Sequence, residues 1–119
     1  HIRGKHTRGE ISKTLSSAGL RCADVIAYDQ IALRLTDAAS RALHAEVPVI
    51  FPLFSPRTAT ILNRQGPFTC PLTIVALSDA VKDAVAIHDV ADISVAKEPT
   101  AKAMLQAVLA AIDGISARL

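Results

Sequence analysis

Residues 47–79 read VPVIFPLFSPRTATILNRQGPFTCPLTIVALSD and combine two short apolar runs with one helical segment. Continuous apolar runs such as Val47–Phe51 and Leu72–Leu77 are typical of strands that are buried on both faces. Between them, Ser55 is a favoured N-cap residue and Pro56 is a favoured first helical residue. This order predicts two parallel strands that are joined by a crossover helix.

The same alternation of strands and helices continues along the rest of the chain. The sequence predicts a first strand at Ile2, a second over Ala23–Ala27 that closes on Tyr28, and a fifth over Ile93–Ala96. The resulting order, β-α-β-(α)-β-α-β-α-β-α, is typical of an α/β fold. We therefore expect one flavodoxin-like, parallel, five-stranded sheet in the order 2-1-3-4-5, flanked by helices. Ligands of such sheets bind outside the carboxyl ends of the strands.

Local signals predict where several helices begin and end. Thr7 with Glu10 three residues later is typical of a capping box, and Gly19 is expected to end the helix that follows. The last helix is expected over Ala101–Ile112, because its apolar residues recur at helical spacing and Gly114 follows it.

Composition narrows the classes of function. The chain has 119 residues, half of them hydrophobic, which suits one globular domain and does not suit a disordered segment. The net charge of +2 is too small for a dedicated nucleic-acid binder, and three Phe, one Tyr and no Trp make base stacking a weak hypothesis. No run of about 18 apolar residues is present, so we expect no membrane-spanning helix and no membrane partner.

The two cysteines indicate the expected compartment. Cys22 and Cys70 are too far apart for a CxxC pair and too few for a four-ligand zinc site. Two small, buried thiols in a reducing compartment are the simpler interpretation, so a cytoplasmic location is expected. The chain begins with His1 and lacks an initiator Met, which we interpret as a fragment of a longer protein.

Polar residues gather where the predicted strands end. Ser55, Ser78 and Thr100 each follow a strand and begin a helix, and Arg57 lies close to the first of them. Carboxyl ends of parallel strands share one edge, and helix N-termini attract anions, so a polyanionic ligand is expected there. Each hydroxyl on its own is more often only a cap.

Familiar catalytic and cofactor motifs are absent from the sequence. It contains no G-x-S-x-G nucleophile elbow, no G-x-G-x-x-G dinucleotide fingerprint and no P-loop. Ser55 has no evident His partner, and His44 and His88 are interpreted as ordinary surface residues. His1 and His6 lie among basic residues, which opposes binding of a metal cation.

Four segments in order carry a resemblance to a known family: Arg3-Gly4 and Arg8 before a strand that ends at Tyr28; Phe54-Ser55-Pro56-Arg57; the stretch from Val75 to Val81; and Ala96-Lys97-Glu98-Pro99-Thr100 followed by Met104 and Leu105. Together they resemble the C-terminal half of uroporphyrinogen-III synthase. The family often has Gly-Pro-x-Thr where this chain has Leu77-Ser78-Asp79-Ala80, so Ser78 would replace the usual Thr. Arg57 stands where a small residue is common.

The resemblance implies an enzyme of tetrapyrrole (heme) biosynthesis that needs no cofactor and no metal. Such an enzyme cyclises hydroxymethylbilane to uroporphyrinogen III, inverts ring D and releases water. It implies that Tyr28 is a proton-donating or orienting residue. Taken together with the polar residues at the strand ends, the candidate substrate-binding residues are Arg3, Arg8, Ser55, Arg57, Ser78 and Thr100. Residues 1–35 would be a βαβ piece and linker of one synthase domain, and residues 36–119 most of the other. The whole enzyme is expected to be a monomer, whereas this fragment alone is expected to be inactive.

Other interpretations stay open from the residues alone. A flavodoxin-like module that binds an anion or a partner without catalysis fits the same pattern. A response-regulator receiver has the same strand order, but it needs acidic residues where this chain has Arg3 and Ser55. Residues 1–28 are expected to join the single sheet of their own chain. The alternative is that two chains exchange this piece through the hinge at Asp29–Leu35.

Overall fold

A computed structural model describes residues 1–7 and 9–118, which divide into two compact units, His1–Leu33 and Arg34–Leu119. The N-terminal unit contains β1 (Ile2–Gly4), α1 (Ile11–Ser17) and β2 (Val25–Tyr28). The C-terminal unit contains α2 (Asp37–Leu43), β3 (Val49–Leu53), α3 (Pro56–Asn63), β4 (Leu72–Ala76), α4 (Asp79–Lys82), β5 (Val90–Val95) and α5 (Ala101–Ser116).

The strands form two parallel sheets instead of one. Strands β1 and β2 pair with each other, while β3, β4 and β5 form a three-stranded sheet in that order. The α/β class and the parallel pairing agree with the sequence, but the prediction of one five-stranded sheet is wrong. The physical reason is that an apolar run indicates a strand without specifying its neighbour. All four residues of β2 are exposed, so β2 lacks the buried face that a strand inside a wider sheet has.

The core of the C-terminal unit surrounds β4, the central strand of its sheet. All five residues of β4 are buried, as expected for a strand that is covered on both faces. Ile74 belongs to a cluster with buried residues of α3 and α4, whereas Val75 packs with Met104 of α5. Helices therefore cover both faces of this sheet, and their starting points lie at its carboxyl edge.

Helix boundaries confirm some of the local signals and correct others. Gly19 has a φ of +84° immediately after the C-cap Ala18, which is the left-handed conformation expected of a helix-ending glycine. Helix α1 begins after Glu10, whose side chain makes no capping bond, so Thr7 does not cap it. Helix α5 continues through Gly114 to Ser116, because one glycine costs only about 1 kcal/mol in a helix with an apolar face.

Candidate functional site

Three hydroxyl residues lie at the carboxyl edge of the three-stranded sheet. Ser55, Ser78 and Thr100 occupy the N-cap positions of α3, α4 and α5, which follow the parallel strands β3, β4 and β5. The ladder continues one residue past the last two strands, because Leu77 N donates to Leu53 O and Ala96 N to Ala76 O, both at 2.9 Å. The sheet thus brings the three helix starts to one edge.

The three hydroxyls differ in what they already bind. Ser55 Oγ accepts from Thr58 N at 3.1 Å and contacts the Thr58 hydroxyl at 2.8 Å. Thr100 Oγ1 accepts from Ala103 N at 3.2 Å. Ser78 has the extended backbone of an N-cap residue, but its side chain makes no capping bond. Of the three, the Ser78 hydroxyl is therefore the one that does not stabilise its helix by a capping bond.

This difference predicts unequal effects of two matched substitutions. Ser55→Ala is expected to lower the free energy of unfolding by about 1 kcal/mol, because it removes a capping bond to α3. Ser78→Ala removes no capping bond and is expected to change stability by under about 0.5 kcal/mol. Urea denaturation of both variants measures the difference. Equal losses would contradict the assignment of the caps.

The cations predicted to bind substrate have different surroundings. Arg57 lies in the first turn of α3, two residues after Ser55, and therefore belongs to the same edge. Arg3 lies in β1, where its Nε donates to Asp24 Oδ2 at 2.8 Å and its Nη1 to Gly4 O at 3.2 Å. Arg8 lies outside the described residues. Arg3 is thus already engaged in an ion pair of the N-terminal unit.

Tyr28, the predicted catalytic residue, ends β2 and is 58% exposed. Lys5 N donates to its carbonyl oxygen at 2.8 Å, which extends the pairing of β1 and β2 by one residue. Next to Tyr28, Asp29 accepts a bond from Lys5 Nζ at 3.0 Å and lies 3.3 Å from His6 Nε2. Arg3 and Tyr28 therefore belong to the N-terminal unit, whereas Ser55, Arg57, Ser78 and Thr100 belong to the C-terminal unit.

The acidic partners of these basic residues, Asp24 and Asp29, were not predicted from the sequence. A signal was present: the basic Arg3 and Lys5 accompany β1, and acidic residues flank β2 on both sides. Opposite charges on neighbouring strands favour ion pairs between them. The register places Lys5 beside Asp29, one residue past the Gly4↔Tyr28 pair, whereas Arg3 pairs with Ile26 and reaches diagonally to Asp24. The register was needed to choose between the two partners.

Both aspartates ionise more readily than usual. The hydrogen bond from Ser12 Oγ, and then that from Arg3, hold the pKa of Asp24 below its ordinary value of 3.8. The hydrogen bond and charge of Lys5, with the charge of His6, lower the pKa of Asp29 in the same way. By contrast, burial raises the pKa of the Cys70 thiol, which suits a neutral thiol in the core.

The lowered pKa values predict how acid acts on the N-terminal unit. A carboxylate whose folded pKa is depressed stabilises the fold above its unfolded pKa, and this stabilisation is lost as pH falls through the folded value. We therefore expect stability to decrease from about pH 4 downward. Asp24→Asn removes the titrating group and should flatten this acid limb in unfolding experiments between pH 2 and 6. An acid limb identical to that of the unchanged chain would contradict the assignment.

Within residues 1–7 and 9–118, no group of three or more His, Cys, Asp or Glu side chains is arranged to hold a metal ion. No helix within the described ranges has the length and hydropathy required to cross a bilayer.

Comparison with known proteins connects this arrangement to a family. The sequence model of the family HEM4, described as "Uroporphyrinogen-III synthase HemD", matches residues 1–106. The crystal structure of uroporphyrinogen-III synthetase from Helicobacter pylori 26695 superposes with a TM-score of 0.69 at 17% identity, covering 92% of this chain and 51% of that one. The chain thus spans about half the length of that relative. Comparison with curated protein sequences gives no significant match. Because the family match extends over most of the sequence, this chain belongs to the uroporphyrinogen-III synthase family.

Proposed function

We propose that this chain supplies part of an enzyme that cyclises hydroxymethylbilane to uroporphyrinogen III, with inversion of ring D and loss of water. The observation that carries the proposal is the family match over residues 1–106. The fold of the C-terminal unit supports it independently, because three helices begin at one edge of a parallel sheet. The proposed role is in tetrapyrrole biosynthesis.

The carboxyl edge of the three-stranded sheet is the proposed surface for the substrate's carboxylates. Hydroxymethylbilane carries eight carboxylates, and backbone N–H groups at helix starts bind anions. Ser55, Ser78 and Thr100 mark these starts, and Arg57 would supply a nearby positive charge. Ser78→Ala is expected to weaken substrate binding only modestly, since a side chain adds to backbone donors without replacing them. Each charge-assisted bond is worth about 1–3 kcal/mol.

Tyr28 is the proposed proton donor or orienting group. Cyclisation breaks the carbon–oxygen bond of the terminal hydroxymethyl group, and the oxygen leaves as water after it gains a proton. A phenol hydroxyl can donate a hydrogen bond to this departing oxygen. The exposure of Tyr28 at the end of β2 supports the role, because a ligand can reach it. Arg3 and Arg8, which precede Tyr28 in the sequence, are the other proposed substrate-binding residues of this part of the chain.

The division of the chain into domains is also part of the proposal. Residues 1–35 would form the last βαβ piece of one synthase domain together with a linker, and residues 36–119 most of the second domain. Activity would then require polypeptide beyond this chain, and the complete enzyme would act as a cytoplasmic monomer. The proposed chemistry needs no cofactor, because it consists of positioning and proton transfer.

The test is an assay of hydroxymethylbilane cyclisation. It is run on this chain and on a longer polypeptide that contains it, and chromatography separates the type III product from the type I isomer that forms without enzyme. We expect the longer polypeptide to give type III and this chain alone to give type I. A longer polypeptide that gives only type I would overturn the proposed activity and favour the non-catalytic binding module. Type III product from this chain alone would overturn the claim that more polypeptide is required.

A further inference from the structure

Gly4 lies directly against the side chain of Tyr28. It is the last residue of β1, it is buried, and it pairs with Tyr28 in the register of the two-stranded sheet. A Cβ atom built on Gly4 would lie 2.6 Å from Tyr28 Cε2, 2.8 Å from Cζ and 3.1 Å from the hydroxyl oxygen. Real Cβ atoms almost never approach another heavy atom within 3.0 Å. The ring can occupy this position only because residue 4 has no side chain.

An irregularity in strand pairing brings these two residues together. Arg3 pairs with Ile26, but Gly4 pairs with Tyr28, so Ala27 is the extra residue at this point. Such a bulge changes the direction of the side chains that follow it. Past the bulge, Lys5 N donates to Tyr28 O, and the Lys5 ammonium pairs with Asp29. The backbone is therefore held directly after the Tyr28 Cα, and Ile26, two residues before Tyr28, pairs with Arg3.

We propose that Gly4 is a positioning residue for the Tyr28 hydroxyl. The space above Gly4 receives the ring edge that carries the hydroxyl, while more than half of Tyr28 stays exposed to a ligand. Any larger residue at position 4 would push the ring out of this place. The inference rests on the proposed function for its catalytic consequence, but the position of the ring is measurable without substrate.

Gly4→Ala is expected to move the ring without unfolding the chain. The atoms that would clash belong to the far end of an exposed side chain, which can rotate away. Tyr28 is the only Tyr and the chain has no Trp, so tyrosine fluorescence reports on this ring alone. NMR cross-peaks between the ring protons and the Gly4 α-protons should be present in the unchanged chain. In Gly4→Ala, the cross-peaks to residue 4 should weaken and the fluorescence should change, with far-UV circular dichroism preserved.

Gly114→Ala is the matched control. A Cβ there would meet its nearest heavy atom, Arg118 Nη2, at an ordinary 3.8 Å, far in sequence from Tyr28. Its Tyr28 signals should equal those of the unchanged chain. Missing cross-peaks in the unchanged chain, or Tyr28 signals unaffected by Gly4→Ala, would overturn the inference whether or not any cyclisation is detected. If Gly4→Ala fails to fold, the cross-peaks between the Tyr28 ring and the Gly4 α-protons in the unchanged chain still test the position of the ring.

A kinetic cycle then tests the consequence for catalysis in an active polypeptide that contains this sequence. Gly4→Ala should lower kcat by up to about 100-fold with little change in KM, because a misplaced catalytic group slows the chemical step. In a Tyr28→Phe background, the same substitution should have little further effect, since the hydroxyl is already gone. Independent, multiplying effects would overturn the positioning role even where the proposed activity is confirmed.

Discussion

Leu53→Ala is expected to lower the free energy of unfolding by about 2–5 kcal/mol. Leu53 ends β3, is 0% exposed, and belongs to the core cluster that includes Ile74 and Leu62. Truncation removes buried methyl groups and leaves a cavity that the surrounding strands and helix fill only in part. Urea denaturation followed by circular dichroism measures the loss. Because Leu53 lies two residues before Ser55, the same substitution should also loosen the start of α3.

Leu105→Ala is the matched control for this substitution. Leu105 lies in α5 with 59% of its surface exposed, so its truncation should change stability by only about 0.5 kcal/mol. Alanine also suits a helix at least as well as leucine does. Similar losses in the two variants would contradict the assignment of the core to the neighbourhood of β4.

The elements of the C-terminal unit could be predicted from the sequence because their signals are local. Ser55 and Thr100 each accept a bond from the backbone N–H three residues later, as their residue types at helix starts indicate. Parallel pairing followed from the alternation of strands and helices. The edge that carries the hydroxyls was predictable for the same reason, since parallel strands must end on one side of their sheet.

The membership of each sheet was not predictable in the same way. Val25 and Ile26 have the apolar character of an interior strand, yet they are 58% and 56% exposed. Nothing in a strand's own residues records which strand lies beside it, and the connector after Tyr28 contains no turn signal that fixes a pairing. The single five-stranded sheet failed at this step, whereas each of its five strands was correctly expected to exist.

The surroundings of the candidate site residues needed the register as well as the residue types. Arg3 stays a predicted substrate-binding residue, and its guanidinium contacts Asp24 once β1 and β2 are aligned. The contact between Gly4 and Tyr28 depends on a one-residue bulge, which no local sequence pattern predicts. The family resemblance therefore makes Tyr28 a candidate, while its neighbours follow only from the pairing of the two strands.

Tyr28→Phe is expected to lower kcat for uroporphyrinogen III formation by about 10²–10⁴-fold in an active polypeptide that contains this sequence. Phenylalanine keeps the ring that lies against Gly4 and removes only the hydroxyl. Folding should therefore be unchanged, and KM should change little if the hydroxyl acts mainly in the transition state. The measurement is the rate of type III product formation at saturating substrate, with the type I isomer counted separately.

Ser17→Ala provides the control for loss of a hydroxyl elsewhere in the same unit. Ser17 ends α1 and is exposed, so its removal should leave the rate of type III formation unaltered. Tyr28→Phe separates proton donation from packing, because it removes the hydroxyl and keeps the ring. If Tyr28 only packs, the Phe variant should retain nearly full activity, because the ring contact with the β1 backbone survives. If the phenol assists the departing oxygen, the loss should fall on kcat, and the type I isomer should become the larger share of the product. Near-normal kcat in Tyr28→Phe would contradict the catalytic role and leave Tyr28 as a structural residue of β2.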